Sequence, residues 1–383
     1  MAVRVDPAFK HELIEYGLQN IDECFNCGNC TAICSHTETE HALPRSPIRM
    51  MQLGLREQLD HAVEPWICYY CGDCTRTCPR EANPAEHMMV ARRYLTSRYD
   101  WTGISKRLYL STAWEVGMLL AVAALVVLLF VVGHLLSPMV PDTVNVDLQT
   151  FAPVEVIHFG DWALALFLLF FLGTNAIRMF SFVMGPQANK IPLSLYITEI
   201  KTFIMHLLTQ KQWRKCDGPT RWGKHLLLFI GYGSMLLLVV GFLPWFQRPT
   251  SEWHWSSLIG YYATFFLLWI TGDALLSRLR KKEELHKYSH LTDWMYLILL
   301  FFTALTGILL HLFRLFNMPW PTYYMYVIHL AIAVPMLVVE VPFGKWAHLA
   351  YRPLALYLVA VREKAQAMQL AKRAPAGAVA AAR

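Results

Sequence analysis

From residue 113 onward the chain runs in long stretches that carry no charge. Gly117–Leu136, Trp162–Ile177, His225–Phe246, Trp255–Gly272, Trp294–Phe313 and Trp320–Val339 are each 16 to 22 residues long. A helix needs roughly 20 apolar residues to cross the hydrocarbon core of a bilayer, with some tolerance at the ends. The second run lies directly between Asp161 and Arg178, and further apolar residues continue beyond those single charges. One such run could be a buried helix of a soluble domain. Six in succession predict six spans, at about 113–136, 157–180, 222–246, 255–279, 290–315 and 320–348. Backbone in lipid satisfies its own hydrogen bonds only as helix or closed barrel, and runs of this length select helix. Residues 1–105 have the opposite character, polar and mixed. The pattern thus predicts a mostly α chain with a soluble N-terminal domain over 1–105 and a membrane domain over 106–365. An Ala-rich tail over 366–383 is expected to be disordered.

Composition and charge sharpen this reading. Hydrophobic residues make up 55% of the 383 and charged ones 16%, against about 25% charged in soluble proteins. The net charge of +6 would be weak support for nucleic acid, and its distribution points elsewhere. Lys190, Lys201, Lys211, Arg214, Lys215 and Arg221 cluster between the second and third runs. Arg278, Arg280, Lys281, Lys282 and Lys287 lie between the fourth and fifth, whereas 137–156 holds neither Lys nor Arg. The positive-inside rule then places the basic loops and both termini in the cytoplasm, in a multi-pass inner-membrane protein. Residues 192–210 read as an amphipathic helix at that interface. No apolar segment of a signal peptide stands in the first twenty residues, so residues 1–105 are expected to stay in a reducing compartment.

Eight of the nine cysteines form two runs. Cys24, Cys27, Cys30 and Cys34 repeat the C-x2-C-x2-C-x3-C spacing of Cys68, Cys71, Cys74 and Cys78, and Pro79 follows the second run. Zinc sites use separated pairs. This spacing is that of bacterial ferredoxins, whose fourth cysteine ligates the other run's cluster. The expectation is two 4Fe–4S clusters, one held by Cys24, Cys27, Cys30 and Cys78, the other by Cys68, Cys71, Cys74 and Cys34. The alternative is that each run closes on itself. Ser35 stands where the first run lacks its proline. Cys216 reads as an ordinary free thiol.

Histidines in membrane spans are costly and point to function, and imidazole is a haem ligand. His225 and His348 fall at the cytoplasmic ends of the third and sixth spans and are expected to hold an inner haem b, with His290 the competitor. His329 falls in the outer half of the sixth span and is expected to hold an outer haem b. Its partner is His311 or His158, with His134 more remote. His329 and His348 are 19 residues apart, roughly 28 Å along one helix, close to the hydrocarbon thickness of about 30 Å. Asp161, Asp273 and Glu340 are protonatable groups near the spans, with a plain helix-end or hydrogen-bonding role as the alternative for each.

Two resemblances follow from these residues. SPIRMMQLG over 46–54, with Pro65-Trp66-Ile67-Cys68, resembles the ferredoxin-type C subunit of heterodisulfide reductase. His329, Pro342-Phe343-Gly344-Lys345 and His348 resemble the haem b subunits of that enzyme and the six-helix bundle of nitrate reductase gamma subunits. Fused in one chain, they resemble the C subunits of quinone-interacting membrane-bound oxidoreductases. Nitrate reductase gamma subunits place two ligands ten residues apart, but Met235 stands ten beyond His225. The resemblance implies an electron-transfer subunit with two b haems and two 4Fe–4S clusters. It would link menaquinone in the bilayer to soluble flavin and iron–sulfur subunits on the cytoplasmic face, and through them to adenylylsulfate reductase.

Two other readings compete. The same parts serve the electron-transfer subunit of a heterodisulfide reductase-like or sulfite reductase-linked complex. From a different class, the chain is a non-catalytic membrane anchor or redox sensor with structural histidines. The disulfide-reducing catalytic subunits carry Cys-Cys motifs, and this sequence has none.

Overall fold

The computed structural model describes residues 4–38, 41–136, 139–216 and 219–373. Its elements are helical. In chain order they are α1 (Phe9–Glu15), α2 (Asn29–Ile33), α3 (Arg45–Gln52), α4 (Arg56–Asp60), α5 (Glu64–Ile67), α6 (Asp73–Arg76), α7 (Pro84–Tyr99) and α8 (Ile104–Leu110). There follow α9 (Thr112–Leu136), α10 (Val154–Met184), α11 (Leu193–Thr209), α12 (Pro219–Phe246), α13 (Ser257–Leu279), α14 (Thr292–Leu315), α15 (Pro319–Pro335), α16 (Val341–Phe343) and α17 (His348–Arg373). Short 3-10 turns and one π turn join them, and no strand occurs among the described residues.

The chain divides into two compact units, each discontinuous in sequence. The first comprises Met1–Tyr99, Thr174–Asp217 and His348–Arg383, and the second Asp100–Gly173 and Gly218–Ala347. The expected boundary at 105 is therefore incomplete. The reason lies in α7, which is buried on nearly every face, with Val90, Ala91, Tyr94 and Leu95 among its apolar residues. Residues 1–105 alone cannot cover it. Tyr351 of α17 packs edge-on against Trp66 and Tyr99 at 5.1 and 5.4 Å, and Arg178 Nε donates to the Tyr99 carbonyl at 2.8 Å. α17 runs unbroken to Arg373, so 366–373 is helical rather than disordered; residues 374–383 lie outside the described residues.

α11 and α17 pack together within the first unit. Glu199 is buried and meets Lys364 there, and Tyr357 Oη donates to the Tyr196 carbonyl at 3.0 Å. Leu193, Ile197, Ile200, Ile204 and Leu208, at helical spacing, are exposed. α11 thus buries the polar Glu199 and His206 and leaves an apolar stripe facing outward, unlike a soluble-protein helix.

Six helical segments are long and apolar enough to cross a membrane: Thr112–Leu136, Val154–Lys190, Pro219–Phe246, Ser257–Leu279, Thr292–Leu315 and Pro319–Phe343. Consecutive helices α12, α13, α14 and α15 pack in order, and α15 returns against α9. Leu148, Ala152, Tyr323 and Tyr326 form a buried cluster, where the Tyr323 hydroxyl donates to the Asp142 carbonyl at 2.9 Å. The last span is not one continuous helix. α15 ends at Pro335, and the backbone widens into a π turn over Met336–Glu340. It then reaches extended geometry at Gly344 (φ −102°, ψ −155°). Two prolines remove backbone donors from this stretch, so the axial count from His329 to His348 along one helix does not hold.

Candidate metal centre

The two cysteine runs fold alike. Asn26 and Tyr70 occupy matching places two residues after the first cysteine, both left-handed at φ 58° and 57°. Gly28 and Gly72 follow at φ 90° and 88°, and each opens a short helix, α2 or α6. Positive φ at Gly costs nothing sterically, whereas Tyr70 must be held there. Its hydroxyl donates to Glu86 Oε2 at 2.8 Å, and its backbone N–H donates to Cys68 Sγ at 3.4 Å. An N–H aimed at sulfur suits a thiolate that ligates iron.

The thiols group across the runs. Cys30 feels Cys24 and Cys27 of its own run and Cys78 of the other. Cys34 feels Cys68 and Cys71, and Cys74 feels Cys68, Cys71, Cys30 and Cys34. Burial first, and then these neighbours, push the Cys30 thiol up to about 11. Such a set is poorly suited to bare thiolates and well suited to a cationic iron core. Among the described residues no three His, Cys, Asp or Glu side chains converge as ligands of one metal ion; a cubane needs thiols spaced around a cluster instead. Cys27 is exposed and Cys74 buried.

Cys216 is not the ordinary loop thiol expected of it. It is buried, 2% exposed, in the same unit as the two runs. Its Sγ lies 3.0 Å from His36 Nε2 and 3.7 Å from Ser35 Oγ, and it shares a hydrogen bond with the Cys71 thiol. Burial and the positive charges of Lys215 and Arg352 pull His36 down to about 4, so its ring is neutral at pH 7. Nothing in the sequence announces this contact, because Cys216 lies 180 residues from His36.

Two guanidinium groups reach the Cys68 carbonyl. Arg92, 8% exposed, donates to it through Nη2 and to the Pro65 carbonyl through Nε at 2.6 Å. Arg352 of α17 donates to the Cys68 and Trp66 carbonyls at 3.1 Å each and lies 4.4 Å over the Tyr69 ring. Burial and then Arg352 pull Arg92 down to about 10, which leaves it charged at pH 7. Like charges this close disfavour one another, and both groups feel the Cys68 thiol.

The expected haem ligands fall on both units. His225 stands in the first two turns of α12 in the second unit, and His348 opens α17 in the first. His329, on α15, approaches Thr306 of α14 with Nδ1 3.0 Å from Oγ1. That hydroxyl donates to the Phe302 carbonyl at 2.7 Å, so it accepts from Nδ1–H and the lone pair of the ring sits on Nε2. A hydrogen-bonded second nitrogen is the usual support of a metal-ligating histidine. The ring packs on Gly307, where a Cβ would come within 3.2 Å of Cε1.

The two candidate partners of His329 differ. His311 Nε2 meets the Tyr261 hydroxyl at 2.8 Å. His158 Nε2 lies 2.9 Å from the Val240 carbonyl. Pro244, four residues on, has no N–H for that carbonyl, so His158 fills a structural vacancy in α12. His290 Nδ1 lies 3.0 Å from Thr292 Oγ1, and His134 Nδ1 lies 2.8 Å from the Phe130 carbonyl. Asp273 pairs with Lys224 at 2.8 Å. Glu340 is buried and its carboxyl meets that of Glu115, while Asp161 is half-buried.

Residues 20–82 match the 4Fe-4S dicluster domain family. The chain is 34% identical over 86 residues to a heterodisulfide reductase C-subunit-like protein of Archaeoglobus profundus, 22% of this chain and 46% of that one. It is 27% identical over 88 residues to the C subunit of the H(2):CoB-CoM heterodisulfide,ferredoxin reductase of Methanothermobacter thermautotrophicus, 23% of this chain and 48% of the relative. Over 88 residues it is 30% identical to the iron-sulfur C subunit of the CoB--CoM heterodisulfide reductase of Methanopyrus kandleri, 23% and 44%. The chain thus spans about half the length of these curated relatives. No solved structure matches it. The N-terminal region is an iron–sulfur domain like that of the heterodisulfide reductase C subunits.

Proposed function

We propose that this chain is the membrane electron-transfer subunit of an oxidoreductase complex, carrying electrons between menaquinone and soluble flavin and iron–sulfur subunits. The nearness of Cys78 to Cys30, and of Cys34 to Cys68, Cys71 and Cys74, supports the reading. Cys24, Cys27, Cys30 and Cys78 hold one cubane, and Cys68, Cys71, Cys74 and Cys34 the other. Bound clusters and b haems supply one-electron transfer, which side chains alone cannot. The hydrogen bond from His329 to Thr306 supports His329 Nε2 as an outer haem ligand. His311 is taken as its partner because it best matches the depth of His329 in the span pattern, with His158 the alternative; both rings hold a hydrogen bond through Nε2, to Tyr261 and to Val240. His225 and His348 are proposed for the inner haem from the sequence pattern alone.

Basic loops and both termini in the cytoplasm, with the outward apolar stripe of α11 meeting lipid at that face, complete the arrangement. A place in sulfur metabolism, with adenylylsulfate reductase as the indirect partner, rests on the resemblance of the fused architecture. The heterodisulfide reductase C-subunit relatives favour a second reading, the electron-transfer subunit of a heterodisulfide reductase-like membrane complex. The first test is analytical. The chain purified from membranes should hold about eight irons in two cubanes and two b haems by pyridine hemochrome assay. Iron without reducible haem would remove the quinone-linked reading and leave the iron–sulfur one.

A further inference from the structure

The first cysteine of each run presents its backbone carbonyl to a side chain of the surrounding fold, and the two partners differ in charge. The Cys24 carbonyl accepts from the neutral amide of Gln52 at 2.8 Å. The Cys68 carbonyl accepts from two guanidinium groups, those of Arg92 and Arg352. The acidic groups beside the runs are each paired: Glu23 with Arg80 at 2.9 Å near the first run, and Asp73, which the Cys71 thiol reaches at 3.4 Å, with Arg76 near the second. Arg45 also stands near the first run, at Gly28 and bonded to Asn26, but it is exposed to solvent. The interior excess of positive charge therefore belongs to the second run. Cys216 adds to it. With His36 Nε2–H donating to Cys216 Sγ, the Cys216 S–H is directed to Cys71 sulfur.

We infer that the cluster held by Cys68, Cys71, Cys74 and Cys34 has the higher reduction potential of the two, set by Arg92, Arg352 and Cys216, and that an electron arriving in this domain rests there. Reduction adds one negative charge to a cluster. Nearby cations and hydrogen bonds to its sulfurs favour that state, and they do so more strongly away from water. The solvent-exposed Cys27 marks the other cluster as the one open to water, where a neighbouring charge is screened. Arg92, Arg352 and Cys216 act through the ligands and are positioning residues.

This inference rests on the two-cluster reading, and the experiment separates them. The full chain, purified in detergent, is titrated with dithionite and mediators and followed by EPR. Cys27→Ser and Cys71→Ser assign the two signals. The wild type should show two midpoints, the higher belonging to the signal altered in Cys71→Ser. Arg352→Gln and Cys216→Ala should each shift that midpoint downward and leave the other in place. Arg352→Lys, which keeps the charge, should restore most of the shift. A higher midpoint for the signal altered in Cys27→Ser, or no shift in either positioning variant with both signals intact, overturns the inference. A single cluster signal in the wild type would sink the two-cluster reading and the ordering with it.

Discussion

Glu86 and Arg93 meet at 2.6 Å with side chains 6% and 3% exposed. The second oxygen of Glu86 accepts from the hydroxyl of Tyr70, the residue held at positive φ inside the second cysteine run. One carboxylate thus neutralises a buried cation and pins a strained loop. Removing one partner of a buried ion pair costs about 3–5 kcal/mol. Glu86→Ala should lower stability by that order in thermal unfolding of the detergent-purified chain, and should loosen the second run before the first. Phe substituted for Tyr70 keeps the ion pair and should cost much less. An iron–sulfur domain was legible from the cysteine spacing, since a three-thiol grip on a cubane requires ligands close in sequence. Glu86 was not, because an acidic residue in a helical stretch reads as a solvated face. Cys216 was missed for the same physical reason: its meaning comes from Cys71 and His36, and no local pattern encodes a contact of that range.

Two interruptions of the helices matter at the next scale. In α12, Pro244 leaves the Val240 carbonyl without its intrahelical donor, and His158 Nε2 of α10 lies 2.9 Å from it, a replacement donor in the tautomer that carries its proton there. His158→Ala should therefore destabilise the membrane unit by about 1–3 kcal/mol, the cost of an orphaned buried acceptor, while haem content measured by pyridine hemochrome stays unchanged. His329→Ala should do the reverse, with loss of one haem from a chain that still folds. Loss of haem in His158→Ala would move the outer ligand from His311 to His158. The second interruption follows α15, where the π turn and Gly344 bring the backbone round to Lys345, which pairs with the buried Asp293 of α14. A Cβ at Gly344 would collide with the Glu340 backbone and carboxyl. Gly344→Ala should cost about 1–3 kcal/mol through overpacking, read as a lowered unfolding temperature. The long uncharged runs located all six long helices but read straight through this break, because a π turn can be as apolar as a helix. The prolines signalled a disturbance; its form depends on Asp293, more than forty residues earlier.

For the molecule as a whole, composition separated polar from apolar sequence but could not show which segments fold together. Residues 174–217 and 348–373 complete the unit that contains the cysteine runs. Each offers that unit a specific contact, Cys216 for Cys71 and Arg352 for Cys68. Both contacts reach the second run, so the segments that follow and precede membrane spans in the sequence are the ones that set its surroundings. A chain built this way has a stake in where electrons rest. If it connects a quinone pool to soluble partners, quinol added to membranes containing the assembled complex should reduce the b-haem bands first and the iron–sulfur signals afterwards. The higher-potential cluster signal should then appear before the lower. Arg352→Gln should leave quinol-driven haem reduction at its wild-type rate and slow or abolish the cluster phase, because it lowers the driving force for that step alone. Stopped-flow absorbance in the haem bands, with freeze-quench EPR for the clusters, reads both phases in one preparation. Haems that respond to dithionite and to no quinol analogue would remove the quinone from the circuit. Equal effects of Arg352→Gln on both phases would place its influence outside the second cluster.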